Sequence, residues 1–252
     1  MVYDIHYGSG DVYGYNSHDT VCINRENCAQ EFSFLNVGMQ QGLYSLKASG
    51  IVGMSPTDAN ENGDLFIVKM RDSGVIEKAE FSLFINLEEN NSSIQFGGYD
   101  LNKYALPGSS MTFHEIEDNA DHWQLTLDSM SLVGVNDFSV GEGRKIIVDS
   151  GTSFLLMPER DRKAFIQYLS QHLFCMEATL PFCYCDEHQY QSFKDIRLTI
   201  DSKNYFLPKE NYVMKDSNIC AIGVMSHPLM DFWILGLNFF QNYYTIFDQE
   251  NR

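Results

Sequence analysis

The sequence predicts a mainly β protein of two lobes with few helices, and three observations carry that reading. Most of the chain consists of short runs, many alternating apolar and polar, separated by Gly, Asn, Asp and Ser. Strands with one wet face produce this pattern. Only two segments combine helical periodicity with helix-end residues. Two apolar residues before a glycine occur in both Ser49-Gly50-Ile51-Val52-Gly53 and Phe232-Trp233-Ile234-Leu235-Gly236, each ahead of a segment able to form a short helix. Two lobes of similar plan would produce that repeat.

Taken in order, Val2 to Tyr7 already reads as strand. Asp64 to Arg71 carries Leu65, Phe66, Val68 and Met70 and stops before Ser73-Gly74, the first predicted helix. Glu80 to Ile85 and Ser93 to Phe96 follow as strands. The lobe boundary is expected between His114 and Trp123, dividing the chain into 1–115 and 116–252. The second helix runs from Pro158 to Leu173, opening on proline, Glu159 and Asp161, with Phe165, Tyr168, Leu169 and His172 on one face. Asp195 to Ile200 is a further strand.

The 252 residues suffice for about one to two domains with a large core. Seventeen basic against thirty-four acidic residues leave a formal charge of 17 − 34 = −17. That balance argues against nucleic acid and anionic membrane as partners, since both select Lys and Arg surfaces. No apolar run is long enough to cross a bilayer as a helix. The cysteines number six, Cys22, Cys28, Cys175, Cys183, Cys185 and Cys220. Asn90-Asn91-Ser92 and Asn91-Ser92-Ser93 are overlapping glycosylation sequons in a polar stretch expected to be a surface turn. Together they point to disulfides and an oxidising, secretory route. The alternative is a metal site at Cys183-Tyr184-Cys185 with His188, but a structural zinc site needs a second ligand arm, which the chain lacks. No metal or cofactor is expected.

The most informative stretch is Lys145-Ile146-Ile147-Val148-Asp149-Ser150-Gly151-Thr152-Ser153-Phe154-Leu155-Leu156. An apolar strand runs into an acid, turns on small and hydroxylated residues, and leaves as a second apolar strand. A carboxylate is thereby placed in a mostly buried turn among hydroxyls and accessible backbone N–H groups. A second carboxylate about 3 Å away would share one proton with it. Such a pair can take a proton from water and return one to a carbonyl oxygen. The plainer reading is an Asx turn closing an ordinary hairpin.

Four motifs in fixed order resemble the pepsin-like aspartic proteases. Asp149-Ser150-Gly151-Thr152-Ser153 after Ile-Ile-Val resembles the family's second active-site motif. Trp233-Ile234-Leu235-Gly236 followed by Phe239 to Asp248 resembles its C-terminal signature. His122 to Ser129 resembles the strand entering the second lobe, and Ile5-His6-Tyr7-Gly8-Ser9-Gly10 the flap hairpin over substrate.

The resemblance implies a bilobal fold and an aspartic-type endopeptidase acting, as a monomer, on extended polypeptides outside the cell or in an acidic lysosome- or vacuole-like compartment. Asp149 would be one of two catalytic acids, Ser150 a hydroxyl bracing the paired loops, and Thr152 a donor to the outer carboxylate oxygen. Tyr7, Gly8 and Ser9 would contact peptide from the flap, with Gly151, Thr152 and Ser153 on the opposite side and Ile51 walling an apolar pocket. Cys22 and Cys28 are expected to close a hairpin end. The family's second-lobe bridge maps onto Cys185–Cys220, for which Cys183 serves equally on spacing, and Cys175–Cys183 is left. The chain departs from the pattern at its start. The family's first catalytic Asp-Thr-Gly or Asp-Ser-Gly precedes the flap, whereas only six residues precede Tyr7 here. Asp72-Ser73-Gly74 lies after the flap in a helical context and is rejected as that motif. The expectation is an incomplete copy with a truncated first lobe and only the second acid, inactive by itself. The competing expectation is a non-catalytic binding protein that keeps the cleft.

Overall fold

A computed structural model describes residues 2–57, 63–87, 89–118 and 120–251. Strands β1 (Val2–Tyr7), β2 (Gly10–Cys22) and β3 (Cys28–Gln41) form an antiparallel sheet in that order. Helix α1 (Phe66–Asp72) buries Phe66, Ile67 and Met70 and carries Lys69 and Arg71 in its last turn, where they complement the carbonyl end of the helix. Its chain leaves through Gly74 at φ +71°, a left-handed position that glycine takes without steric cost. Strands β4 (Glu80–Phe84) and β5 (Ser93–Phe96) pair next, before the short helix α2 (Leu101–Tyr104), whose Asp100 cap accepts from the Lys103 amide.

The remaining chain supplies β6 (Gln124–Leu132), β7 (Ser139–Val140), β8 (Arg144–Val148), β9 (Leu155–Leu156) and helix α3 (Glu159–Leu169). Then come β10 (Phe174–Met176), β11 (Phe182–Tyr184), α4 (Glu187–Ser192), β12 (Ile196–Ile200) and β13 (Lys203–Leu207). Helix α5 (Lys209–Tyr212), strands β14 (Val213–Asp216), β15 (Ile219–Ile222), β16 (Val224–Met225) and β17 (Trp233–Leu235), helix α6 (Leu237–Phe240) and β18 (Thr245–Asp248) complete it. One sheet runs β13-β12-β6-β8-β17-β9-β16 with β7 on β6; a smaller one runs β10-β11-β15-β14.

Among the described residues two apolar cores result. The larger gathers Leu127, Met130, Ile146, Phe165, Ile196 and Trp233 from the second half of the chain. The smaller gathers Phe32, Phe66, Met70 and Phe81 with Phe240 and Phe247 from the far end. Strand β18 pairs antiparallel with β4, and Phe247 stacks on Phe81 at 4.6 Å. The last strand is thus built into the first-half core.

Several elements differ from the sequence reading for physical reasons. Helix α3 ends at Leu169, leaving His172 exposed, and its buried face includes Asp161, Arg162 and Ile166. Strand β4 does not alternate: Glu80 to Leu83 are all buried, because β18 and β5 flank it on both edges and both faces are covered. The repeat is unequal as well. Trp233–Leu235 is strand β17, but Ile51 to Gly53 is irregular, with Ile51 and Val52 exposed.

The structure joins Cys22–Cys28, Cys175–Cys183 and Cys185–Cys220. The first two pairs sit directly opposite each other across β2–β3 and β10–β11. Cys183 also lies opposite Cys220 in the β11–β15 register, yet Cys220 bonds Cys185. All sulfurs of the suggested metal cluster are therefore held in disulfides.

Candidate active site

The turn carrying Asp149 is fixed by three strands. Strand β8 runs parallel to β17, while β9 pairs with β17 on its other side and runs parallel to β16. Strand β17 therefore lies between the two arms that the turn connects. The Asp149 amide donates to the Leu235 carbonyl at 3.0 Å, and the Leu237 amide to the Thr152 carbonyl at 2.7 Å. Gly236 lies tightly beneath the turn: a Cβ there would overlap the Phe154 carbonyl oxygen and approach that of Thr152 to 2.6 Å. Both obstacles are backbone, so they yield only by opening the turn. Gly236→Ala is accordingly expected to destabilise the fold by about 1–3 kcal/mol, seen as a lowered melting temperature.

Within the turn each oxygen of Asp149 has its own donor. The Gly151 amide donates to Oδ1 at 2.8 Å and the Thr152 hydroxyl to Oδ2 at 2.6 Å. The carboxylate is half-buried and held at one orientation, as a proton-transfer group must be. The Thr152 contact is the one the motif implied. Ser150, Gly151 and Ser153 are exposed beside it.

The expected flap is a hairpin. Tyr7 ends β1, Gly8-Ser9 make the two-residue turn, and Gly10 pairs back with Tyr7. Gly8 and Ser9 are exposed, whereas Tyr7 is half-buried and its hydroxyl pKa is raised by that burial. Among the described residues no hydrogen bond, ion pair or ring contact joins this hairpin to the Asp149 turn. Asp72 ends α1 and its Oδ1 pairs with Arg71 at 2.8 Å, so that Asp-Ser-Gly run is a helix terminus.

Sequence reasoning missed an acid–base cluster on the hairpin. His6 lies between Asp4, 2.8 Å from Nε2, and Asp11, 2.6 Å from Nδ1. The signal was available: a two-residue turn after Tyr7 places Asp11 opposite His6, and Asp4 shares its face. The hydrogen bond to Asp11 raises the His6 pKa above its ordinary 6.5. The sign follows from linkage. A raised imidazole pKa contributes stability fully present below 6.5 and lost as pH rises through the folded value. Hairpin amide protection factors, which divide out the intrinsic base-catalysed rise of exchange with pH, should be highest in mild acid and fall above neutrality, and His6→Gln should flatten that fall.

A cavity of about 260 Å³ lies behind the turn, lined by Val148, Leu235, His114, Tyr205, Tyr243 and Phe247 among others. Asp149 is not among its walls. Its histidine is occupied, with His114 Nδ1 on Asp201 at 2.6 Å and Nε2 on the Tyr205 hydroxyl at 2.5 Å. The chemistry concentrates at the turn rather than in this cavity.

A sequence model described as Eukaryotic aspartyl protease matches residues 2–252. Pepsin A of Bos taurus is 27% identical over 255 residues, covering 98% of this chain and 66% of that protein. Cathepsin D of Bos taurus is 28% identical over 273 residues, covering 99% and 67%. The chain thus spans about two thirds of the length of these relatives. The fold matches the crystal structure of an aspartic proteinase from Irpex lacteus with a TM-score of 0.82 at 18% identity, covering 99% of this chain and 78% of that one. The chain belongs to the eukaryotic aspartyl protease family.

Proposed function

We propose that the protein is an aspartic-type endopeptidase in which Asp149 supplies one carboxyl of a two-Asp dyad. The observation carrying this is the doubly anchored carboxylate, with Gly151 N–H on Oδ1 and the Thr152 hydroxyl on Oδ2. An acid so held keeps its outward lone pairs free for water. With a second carboxyl about 3 Å away, the pair would hold one proton between them. The ionised member would take a proton from the attacking water while the protonated member donates to the carbonyl oxygen. The tetrahedral intermediate so formed carries no covalent bond to the enzyme. Tyr7, Gly8 and Ser9 on the flap, and Gly151, Thr152 and Ser153 beside the acid, would hold an extended polypeptide from its two sides. Ser150 would brace the partner loop. We read residues 1–115 as part of a first lobe and 116–252 as the second, acting as a monomer on the secretory route. The three disulfides fit an oxidising compartment.

A second reading, a pepsin-fold binding protein without catalysis, is favoured by one observation. Within residues 1–252 the other Asp-Ser-Gly run, at Asp72, sits at a helix end rather than a strand end. One carboxyl cannot share a proton with an absent partner. The 252-residue product is therefore expected to show no turnover of an unfolded protein substrate at acidic pH. Turnover that disappears in Asp149→Asn would overturn the need for a second acid.

A further inference from the structure

We propose that Asn90 carries an N-linked glycan, and that of the two overlapping sequons on the β4–β5 hairpin it alone is the acceptor. No other asparagine in the chain is followed two residues later by Ser or Thr. N-linked glycosylation at an Asn-x-Ser/Thr sequon is therefore confined to one turn. Asn90, Asn91 and Ser92 are exposed there, beyond the ends of strands whose Phe81, Leu83 and Phe96 belong to or pack against the smaller core.

The two candidates differ in surroundings. Asn90 occupies a left-handed position at φ 52°, which asparagine tolerates better than most residues, so the turn projects it outward at small conformational cost. Its sequon ends at exposed Ser92, before the strand begins, with the Ser92 hydroxyl accepting from the Asn86 amide at 2.9 Å and donating to the Asn86 carbonyl at 3.3 Å. Asn91 is held instead: its Nδ2, the atom that would bear the sugar, donates to Glu89 at 3.0 Å. Its sequon ends at Ser93, the first residue of β5, half-buried and bonded by the Tyr104 hydroxyl at 3.1 Å. A glycan on Asn91 would take one of the two amide hydrogens and crowd Glu89; a glycan on Asn90 displaces no side-chain hydrogen bond among the described residues. Sugars on adjacent asparagines would exclude each other, which limits the turn to one.

The co-reactant is a lipid-linked oligosaccharyl pyrophosphate. The Asn90 amide nitrogen displaces the pyrophosphate from the anomeric carbon. A C–N bond forms, the C–O bond breaks, the lipid pyrophosphate leaves with the bonding pair, and the amide proton passes to the transferase. The three disulfides fit folding in an oxidising compartment of the kind where such donors are used.

The test is secretion from a eukaryotic host, followed by enzymatic release of the glycan in heavy-oxygen water and peptide mapping. Heavy aspartate is expected at position 90, with one glycan per chain. Ser93→Ala, which removes only the Asn91 sequon, should leave occupancy unchanged. Ser92→Ala removes the Asn90 sequon, keeps the one that runs from Asn91 to Ser93, and should reduce occupancy severalfold. An unglycosylated wild-type chain, conversion mainly at Asn91, or loss of the glycan in Ser93→Ala overturns the assignment.

Discussion

Where a strand ending in a partner Asp-Thr-Gly or Asp-Ser-Gly is supplied to this fold, Asp149→Asn is expected to abolish acid-optimal peptide cleavage. The loss should reach about 10³-fold or more in kcat/KM, equivalent to about 4 kcal/mol of transition-state stabilisation. The amide is nearly isosteric with the carboxylate: its oxygen can still accept from the Gly151 N–H, and the Thr152 hydroxyl can turn to accept from its NH2, so the turn should persist. What disappears is the shared proton. The distribution of the defect between kcat and KM is informative. A group that moves protons only in the transition state lowers kcat and leaves KM near its wild-type value. A group that merely holds peptide raises KM. Retention of activity in Asp149→Asn would show that another acid carries the chemistry. Unchanged peptide binding in a cleavage-dead product containing both acids would favour the binding-protein reading.

The reason this site was legible in sequence, while much of its support was not, lies in the range of the interactions involved. The Asp149 turn is local: donors two and three residues away bond its carboxylate, and its flanking strands are continuous apolar runs. The Gly8-Ser9 turn is local too, as are α1 and the opening of α3. The caps at Asp100 and Asp186 were equally local, each accepting from the amide three residues on, and both went unread. Other features depend on distant chain. Glu80 and Ser82 looked like the wet face of a strand. Both are buried because β18 arrives from the other end of the chain and Ser82 bonds Tyr244 and the Gly98 carbonyl. Ile51 to Gly53 resembles β17 in composition, but β17 becomes a strand through β8 and β9, not through its own residues. Pattern alone could not distinguish them.

The largest effect on stability is expected from Asp161, a charged residue that periodicity placed only near a helix start. Its carboxylate is buried in the first turn of α3, where Oδ2 accepts from Trp233 Nε1 at 3.1 Å and pairs with Arg144 Nε at 3.0 Å. Trp233 is fully buried at the head of β17, and Arg144 opens β8 while its Nη1 donates to the Asp231 carbonyl at 3.1 Å. One oxygen therefore ties the helix to the two parallel strands whose far ends build the Asp149 turn. Asp161→Ala strands the indole N–H without an acceptor, removes the partner of a guanidinium that is 28% exposed, and deletes an acid from the helix N-terminus. An unsatisfied buried donor costs about 1–3 kcal/mol. A broken buried ion pair costs about 3–5 kcal/mol, less here because water reaches Arg144. We expect about 2–4 kcal/mol in total, measured as a shifted denaturation midpoint at unchanged slope. Asp161→Asn, which restores an acceptor to Trp233 but no charge, should lose less. A cycle with Arg144→Met separates the two contributions: the charge term predicts that Asp161→Ala costs less once Arg144 is gone, by about 1 kcal/mol or more. If the two substitutions simply add, the ion pair contributes nothing and the tryptophan bond alone secures the strands beneath the turn.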